Sequence, residues 1–171
     1  MDFIETALSN AAERQPTGAD NCHSAVVIWL FRANLITEEE KNGVLNKPEN
    51  HPYQVFIPSY ASFLVCTQDP ILTRKKLDNL SGGNVLGFYE RFCPDNLTHS
   101  MVTLERGVIS GFNNAGVTGG RTDAYKHNRF STDDLAWGKS QSYLEGYGAN
   151  IHYQHPEVIA NRISRFVAGN S

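Results

Sequence analysis

The sequence predicts an α+β domain, and the prediction rests on two changes of period along the chain. Apolar residues recur at helical spacing through residues 2–33, alternate at strand spacing through 84–113, and return to helical spacing from Pro156 onward. Helices first, a strand cluster next and helices last is the order of an α+β fold. Residues 1–171 read as one domain, long enough to bury a core without disulfide or metal staples.

Taken in order, Phe3/Ile4, Ala7/Leu8 and Ala11/Ala12 mark an amphipathic first helix over 2–13, broken by Gln15-Pro16-Thr17-Gly18. A second helix is expected from about Asn21 to Ala33, with Asp20 as its N-cap. Its run Ala25-Val26-Val27-Ile28-Trp29-Leu30-Phe31 is apolar on all sides, so the helix is central and buried. Residues 38–58 carry Pro48, Pro52 and Pro58 and read as a loop-rich surface excursion, with Glu38-Glu39-Glu40-Lys41 as a solvated helix start or loop. Residues 59–67 fit helix or strand equally. Asp69-Pro70 opens a short helix that Ser81-Gly82-Gly83 ends. Val85–Tyr89, Ser100–Glu105 and Val108–Asn113 read as strands, the last two joined at Arg106-Gly107. Residues 115–129 read as loop. Ser131/Thr132 cap a helix from Asp133 to about Leu144. The final helix starts at Pro156, with Ile159, Ile163 and Phe166/Val167 on one face.

Composition narrows the function. A net charge of -3 leaves no basic stripe, so nucleic acid is not the expected partner. The longest apolar run, Ala25 to Phe31, falls far short of the roughly 20 residues that span a membrane. The first residues carry Asp2 and Glu5 and no basic region, so synthesis in a cytoplasm without a Sec signal is expected, and action elsewhere requires a specialised secretion system. Cys22, Cys66 and Cys93 are an odd set, which favours free thiols. Cys66 and Cys93 read as structural.

Asp20-Asn21-Cys22-His23-Ser24 places a thiol in the first turn of a buried helix, where partial positive charge and unbonded N–H groups favour the reactive thiolate. The competing reading is a small apolar residue that merely packs. His99 opens the strand Ser100-Met101-Val102-Thr103-Leu104. With Arg106-Gly107 as a two-residue turn, Glu105 pairs with Val108, Thr103 with Ser110 and Met101 with Phe112. His99 then faces Asn114, about 5 Å away between side-chain roots. A change of one residue in the loop brings Asn113 there instead. An amide oxygen in that place fixes the imidazole tautomer and leaves the other nitrogen for a thiol. Nucleophile, base and orienter follow in that order.

These pieces resemble the papain-like cysteine hydrolases, above all the compact NlpC/P60-type amidases and peptidases and the related bacterial effector proteases and deamidases. The likeness lies in Asp20-Asn21-Cys22 leading an apolar helix, Gly83-Asn84-Val85-Leu86-Gly87-Phe88, Thr98-His99-Ser100-Met101-Val102, and Gly107 turning into Val108-Ile109-Ser110-Gly111. It covers residues 20–36 and 82–114. It implies a central helix carrying cysteine, packed on a small antiparallel sheet carrying histidine, and a triad of Cys22, His99 and Asn114 or Asn113. It also implies an oxyanion hole from the Cys22 N–H and one side-chain donor, for which Gln15 is the candidate, while a surface glutamine after a helix explains Gln15 as well. NlpC/P60 enzymes commonly have histidine as the third residue where this chain has asparagine, and no cell-wall-binding module is legible. Both departures favour a secreted effector or toxin over a housekeeping enzyme.

The expected chemistry is hydrolysis of a peptide or cell-wall amide through a thioester, without a cofactor. The alternatives are a glutamine or asparagine deamidase toxin acting on a host protein, and a non-enzymatic interaction domain. The expected partners are a protein or peptidoglycan substrate and, for a toxin, an immunity or chaperone protein. His152-Tyr153-Gln154-His155 lacks the further ligands that zinc requires. Ser81-Gly82-Gly83-Asn84 and Val117-Thr118-Gly119-Gly120-Arg121 lack a Walker lysine and read as turns. Asp123, Asp133 and Asp134 rival the asparagines for the third place, although the last two are better explained as helix-capping acids.

Overall fold

A computed structural model describes residues 2–46, 63–64, 75–90, 93–113, 126–131 and 151–169. The architecture is α+β, with helices on one face of a six-stranded antiparallel sheet.

Helix α1 (Phe3–Ala12) begins with a capping box. Asp2 accepts from the Glu5 N–H at 2.7 Å, and Glu5 accepts from the Asp2 N–H at 3.2 Å. Helix α2 (Cys22–Arg32) is capped by Asn21 and not by the expected Asp20. Asn21 Oδ1 accepts from the N–H groups of His23 and Ser24, both at 3.0 Å, while the Ser24 hydroxyl accepts from Asn21 N–H. A neutral amide, and not the Asp20 carboxylate, therefore caps this terminus.

Helix α3 (Glu38–Leu45) occupies the start of the segment read as loop-rich, and of the two readings of Glu38–Lys41, helix start or loop, it is the helix start. Thr37 and Glu40 form a capping box, and Val44 is the buried anchor. Helix α4 (Pro156–Gly169) buries Ile159, Ala160 and Ile163, as its pattern predicts.

The strands are β1 (Phe63–Leu64), β2 (Val85–Glu90), β3 (Cys93–Glu105), β4 (Val108–Asn113), β5 (Lys126–Ser131) and β6 (Ile151–Gln154), in the spatial order β1-β6-β2-β3-β4-β5. Three of them depart from expectation. β3 begins at Cys93 and not at Ser100, so His99 lies within the strand and does not open it. β5 occupies part of the segment read as loop, and β6 lies between β1 and β2. The segment 59–67, left open between helix and strand, contributes β1. Of the short helix expected after Asp69-Pro70, residues 75–78 are helical and its start lies outside the described residues, as does the helix expected over Asp133–Leu144.

Alternation along the strands sorts the core into two sides. Val85, Tyr89, Val102 and Leu104 pack under α1 and α2 with Leu8, Trp29, Leu30 and Ile163. Leu86, Phe88, Met101, Ile109 and Ile151 are buried on the other face. α1 is held close to the sheet because Gly82 and Gly83 carry no side chain. A Cβ on either would lie 2.0 Å from a carbonyl oxygen, of Leu104 and Glu5 respectively. Trp29 fixes the chain ahead of α2 by donating from its indole N–H to the Arg14 carbonyl at 2.9 Å. Among the described residues, no helix is long and apolar enough to cross a membrane.

Candidate active site

Cys22 is the first residue of α2, and its thiol lies against the backbone of Ser100 on β3. The side chains one residue on are also joined: His23 Nδ1 and the Ser100 hydroxyl are 2.7 Å apart and buried. The start of α2 is thus seated on β3 at the residue after His99.

His99 belongs to the same strand but points the other way. Its ring packs on Phe88, its cross-strand neighbour, with centroids 5.4 Å apart. Its Nε2 is 2.8 Å from Asn113 Oδ1, and both residues are buried. Because an amide oxygen only accepts, Nε2 carries the proton and Nδ1 the lone pair. The partner is Asn113 because β3 holds a register shift between Thr103 and Glu105. Glu105 pairs with Val108 as expected, but Thr103 then meets Ile109 and not Ser110, and Val102 meets Ser110. Counting on from there sets His99 opposite Asn113, and the expected pairing of Met101 with Phe112 fails by the same single residue. Asn114 lies outside the described residues.

The ladder between β3 and β4 stops at Val102 and Ser110, although both strands continue. Past that point, the His99–Asn113 bond is a side-chain link between them. The Cys22 thiol meets the Ser100 backbone in the same stretch. Among the described residues, no hydrogen bond joins Cys22 to His99.

Electrostatics at the site follow burial. The helix-start argument expects a lowered thiol pKa. Burial of Cys22 outweighs the backbone groups of Ser100, Cys22 and His23 that favour the thiolate, and the thiol is pushed up to about 11. Burial also brings the His99 imidazole down to about 4, against the opposing pull of the Asn113 bond. At neutral pH the resting site therefore holds a thiol and a neutral imidazole.

Gln15 is not brought to this site. It is exposed, and its carbonyl accepts from the Arg32 guanidinium. Arg32 is ten residues beyond Cys22, about 15 Å along the helix. The segment ahead of α2 runs back along it, so Gln15 lies toward the far end. Sequence reasoning also passed over Ser100 and His23, which join the start of α2 to β3. The adjacency of His99 and Ser100 on one strand was the available signal, since neighbours on a strand face opposite sides.

The other candidates have structural explanations or lie outside the description. His155 and His152 go to different partners. His155 donates to Asp2 at 2.7 Å and accepts from the Glu157 N–H at 3.1 Å, tying α4 to α1, while His152 stands edge-on to Tyr89. The ligand atoms of Asp2, Glu5 and His155 lie within 4.8 Å of one another, but the capping box and this clamp account for them. Ser110 and His127 are 2.9 Å apart, yet the hydroxyl donates to the Ala12 carbonyl at 2.6 Å and so closes the end of α1. Residues 117–121, Asp123, Asp133, Asp134 and Cys66 lie outside the described residues, as does the side chain of Cys93. Compared with known proteins, the chain matches no family model, no curated protein and no solved structure.

Proposed function

We propose that the chain is a papain-like thiol hydrolase of amide bonds, with Cys22 as nucleophile, His99 as base and Asn113 as its orienter. The observation that carries this reading is the buried His99–Asn113 pair at 2.8 Å, one residue from the Ser100 backbone on which the Cys22 thiol rests. Asn113 selects the tautomer whose Nδ1 is basic.

In the reaction, Nδ1 takes the thiol proton as sulfur attacks the amide carbon and the C–S bond forms. The C–N bond then breaks, and the proton passes to the leaving nitrogen. Water, deprotonated at the same imidazole, cleaves the thioester and restores the thiol. The oxyanion has the Cys22 N–H at the helix start as its donor.

The resting site is closed. Thiol and imidazole face opposite sides of β3, so the reaction requires a substrate-bound arrangement that turns His99 toward Cys22 and hydrates both groups, relieving the burial that now sets their charge states. Peptide, cell-wall and side-chain amides suit this chemistry equally, so secreted protease, amidase and deamidase toxin are three substrates for one mechanism.

A panel of all three amide classes tests the reading. Wild type is expected to hydrolyse at least one, and Cys22→Ala none. Activity that survives Cys22→Ala would remove the sulfur from the mechanism.

A second reading has its own observation. Cys22 is 2% exposed with a thiol raised to about 11, which is how a packing cysteine in an interaction domain behaves. A wild-type protein inert on the whole panel favours it.

A further inference from the structure

Gly111 sits in the middle of β4 between Ser110 and Phe112, with Asn128 of β5 across from it. Glycine is a poor residue for a strand interior, since it costs chain entropy and contributes nothing to packing. Backbone conformation does not require it here. The glycines with positive φ among the described residues are Gly18, Gly83 and Gly107, and Gly111 is not one of them. What requires it is space. A Cβ at 111 would lie 2.4 Å from Asn113 Oδ1 and 2.9 Å from Met101 Cε. The first of these atoms is the one that accepts from His99.

We propose that Gly111 is a positioning residue of the candidate site: its missing side chain is the space into which the Asn113 carboxamide folds back to reach His99. This rests on the reading of His99 as base and deepens it, because it names what sets the tautomer-fixing bond. The geometry also says how a substitution behaves. At Gly82 and Gly83 the obstructing atoms are backbone carbonyls, which cannot yield. At Gly111 they are two side-chain ends, which can. An alanine is therefore accommodated by displacing Asn113 from His99, and the fold survives. Asn113 Nδ2 has no hydrogen-bond partner among the described residues. The carboxamide is thus held through its oxygen, and a push at that oxygen moves the whole group.

The test reads the imidazole directly and needs no turnover. Nitrogen-15 spectra of histidine-labelled protein are expected to show His99 with a protonated, exchange-protected Nε2 in wild type. Gly111→Ala is expected to lose that protection, as Asn113→Ala does. Urea unfolding supplies the second arm. Gly111→Ala should lower the midpoint in wild type, whereas G111A/N113A should unfold with the midpoint of N113A alone, because the new methyl enters the vacated space. Retention of the protected Nε2–H in Gly111→Ala would overturn the proposal. So would a midpoint drop just as large in the Asn113→Ala background, which would put the conflict at Met101. If Gly111→Ala alone does not fold, G111A/N113A decides: folding like N113A supports the proposal and failure to fold refutes it. Both readouts are blind to Cys22, so they stand or fall separately from hydrolysis.

Discussion

At His99, burial and a hydrogen bond pull in opposite directions, and burial wins. The imidazole titrates at about 4 when folded against 6.5 in an unfolded chain. Between these values the unfolded state binds more protons, so stability falls with falling pH. The contribution is complete above pH 6.5 and is lost as pH drops through 4. The gap corresponds to about 3 kcal/mol for a fully buried group. Urea unfolding at pH 7 and pH 4.5 should show most of this loss in wild type and little of it in His99→Gln. An equal loss in both would place the acid sensitivity elsewhere. Cys22 has the opposite sign. Its thiol moves from 9.0 to about 11, so its stabilising contribution holds below pH 9 and is lost as pH rises through 11.

The residue scale is also where the sequence was read most nearly and missed most narrowly. Pairing His99 with an amide on the next strand follows from alternation alone. Which amide depends on the register shift between Thr103 and Glu105, and nothing in Leu104-Glu105-Arg106-Gly107 announces it. Helix position predicts an acidic thiol at Cys22, but the pKa depends on how completely other segments cover it, and coverage is a tertiary property.

Among the elements, α2 carries most of the design. Its apolar run makes it central, and its polar start aims Cys22 at β3. Asn21 closes that start through two N–H groups. Asn21→Ala is expected to cost about 1 kcal/mol in urea unfolding, the usual value of an N-cap. Asn21→Asp should preserve stability and slow thiol alkylation, because a carboxylate beside Cys22 disfavours the thiolate. A faster reaction in Asn21→Asp would mean the cap does not act on the thiol.

The elements that escaped sequence reading share a cause. α3 has one buried residue, Val44, and its signature was the Thr37–Glu40 capping box. β5 is polar and mostly exposed or half-buried. β6 spans only four residues, among them the polar side chains His152 and Gln154. Short or polar segments gain their structure from neighbours and carry little period of their own. Where burial is strong and long, as in α1, α2, β2, β4 and α4, the pattern was enough.

For the whole molecule, the helices and the sheet meet around Trp29, which is fully buried and holds Arg14 through its indole. Trp29→Ala is expected to cost about 3–5 kcal/mol, a large share of the 5–15 kcal/mol typical of a domain. A loss below about 1 kcal/mol in thermal or urea unfolding would mean that the core is not organised around this side chain. Gly83→Ala should be at least as damaging, since it meets the Glu5 backbone at 2.0 Å in a left-handed conformation, φ +83°. The order of helices, strands and helices was legible as α+β. The insertion of β6 between β1 and β2 was not, because sequence order does not state spatial order.

The most direct test of thiol catalysis is the pH–rate profile of iodoacetamide alkylation at the Cys22 peptide, read by mass spectrometry in wild type and His99→Ala. If the opened site pairs the thiol with the imidazole, wild type shows a plateau of reactivity already present below pH 8, and His99→Ala loses it. A single rise near pH 11 in both proteins, following the buried thiol alone, would contradict the triad and leave Cys22 a packing residue.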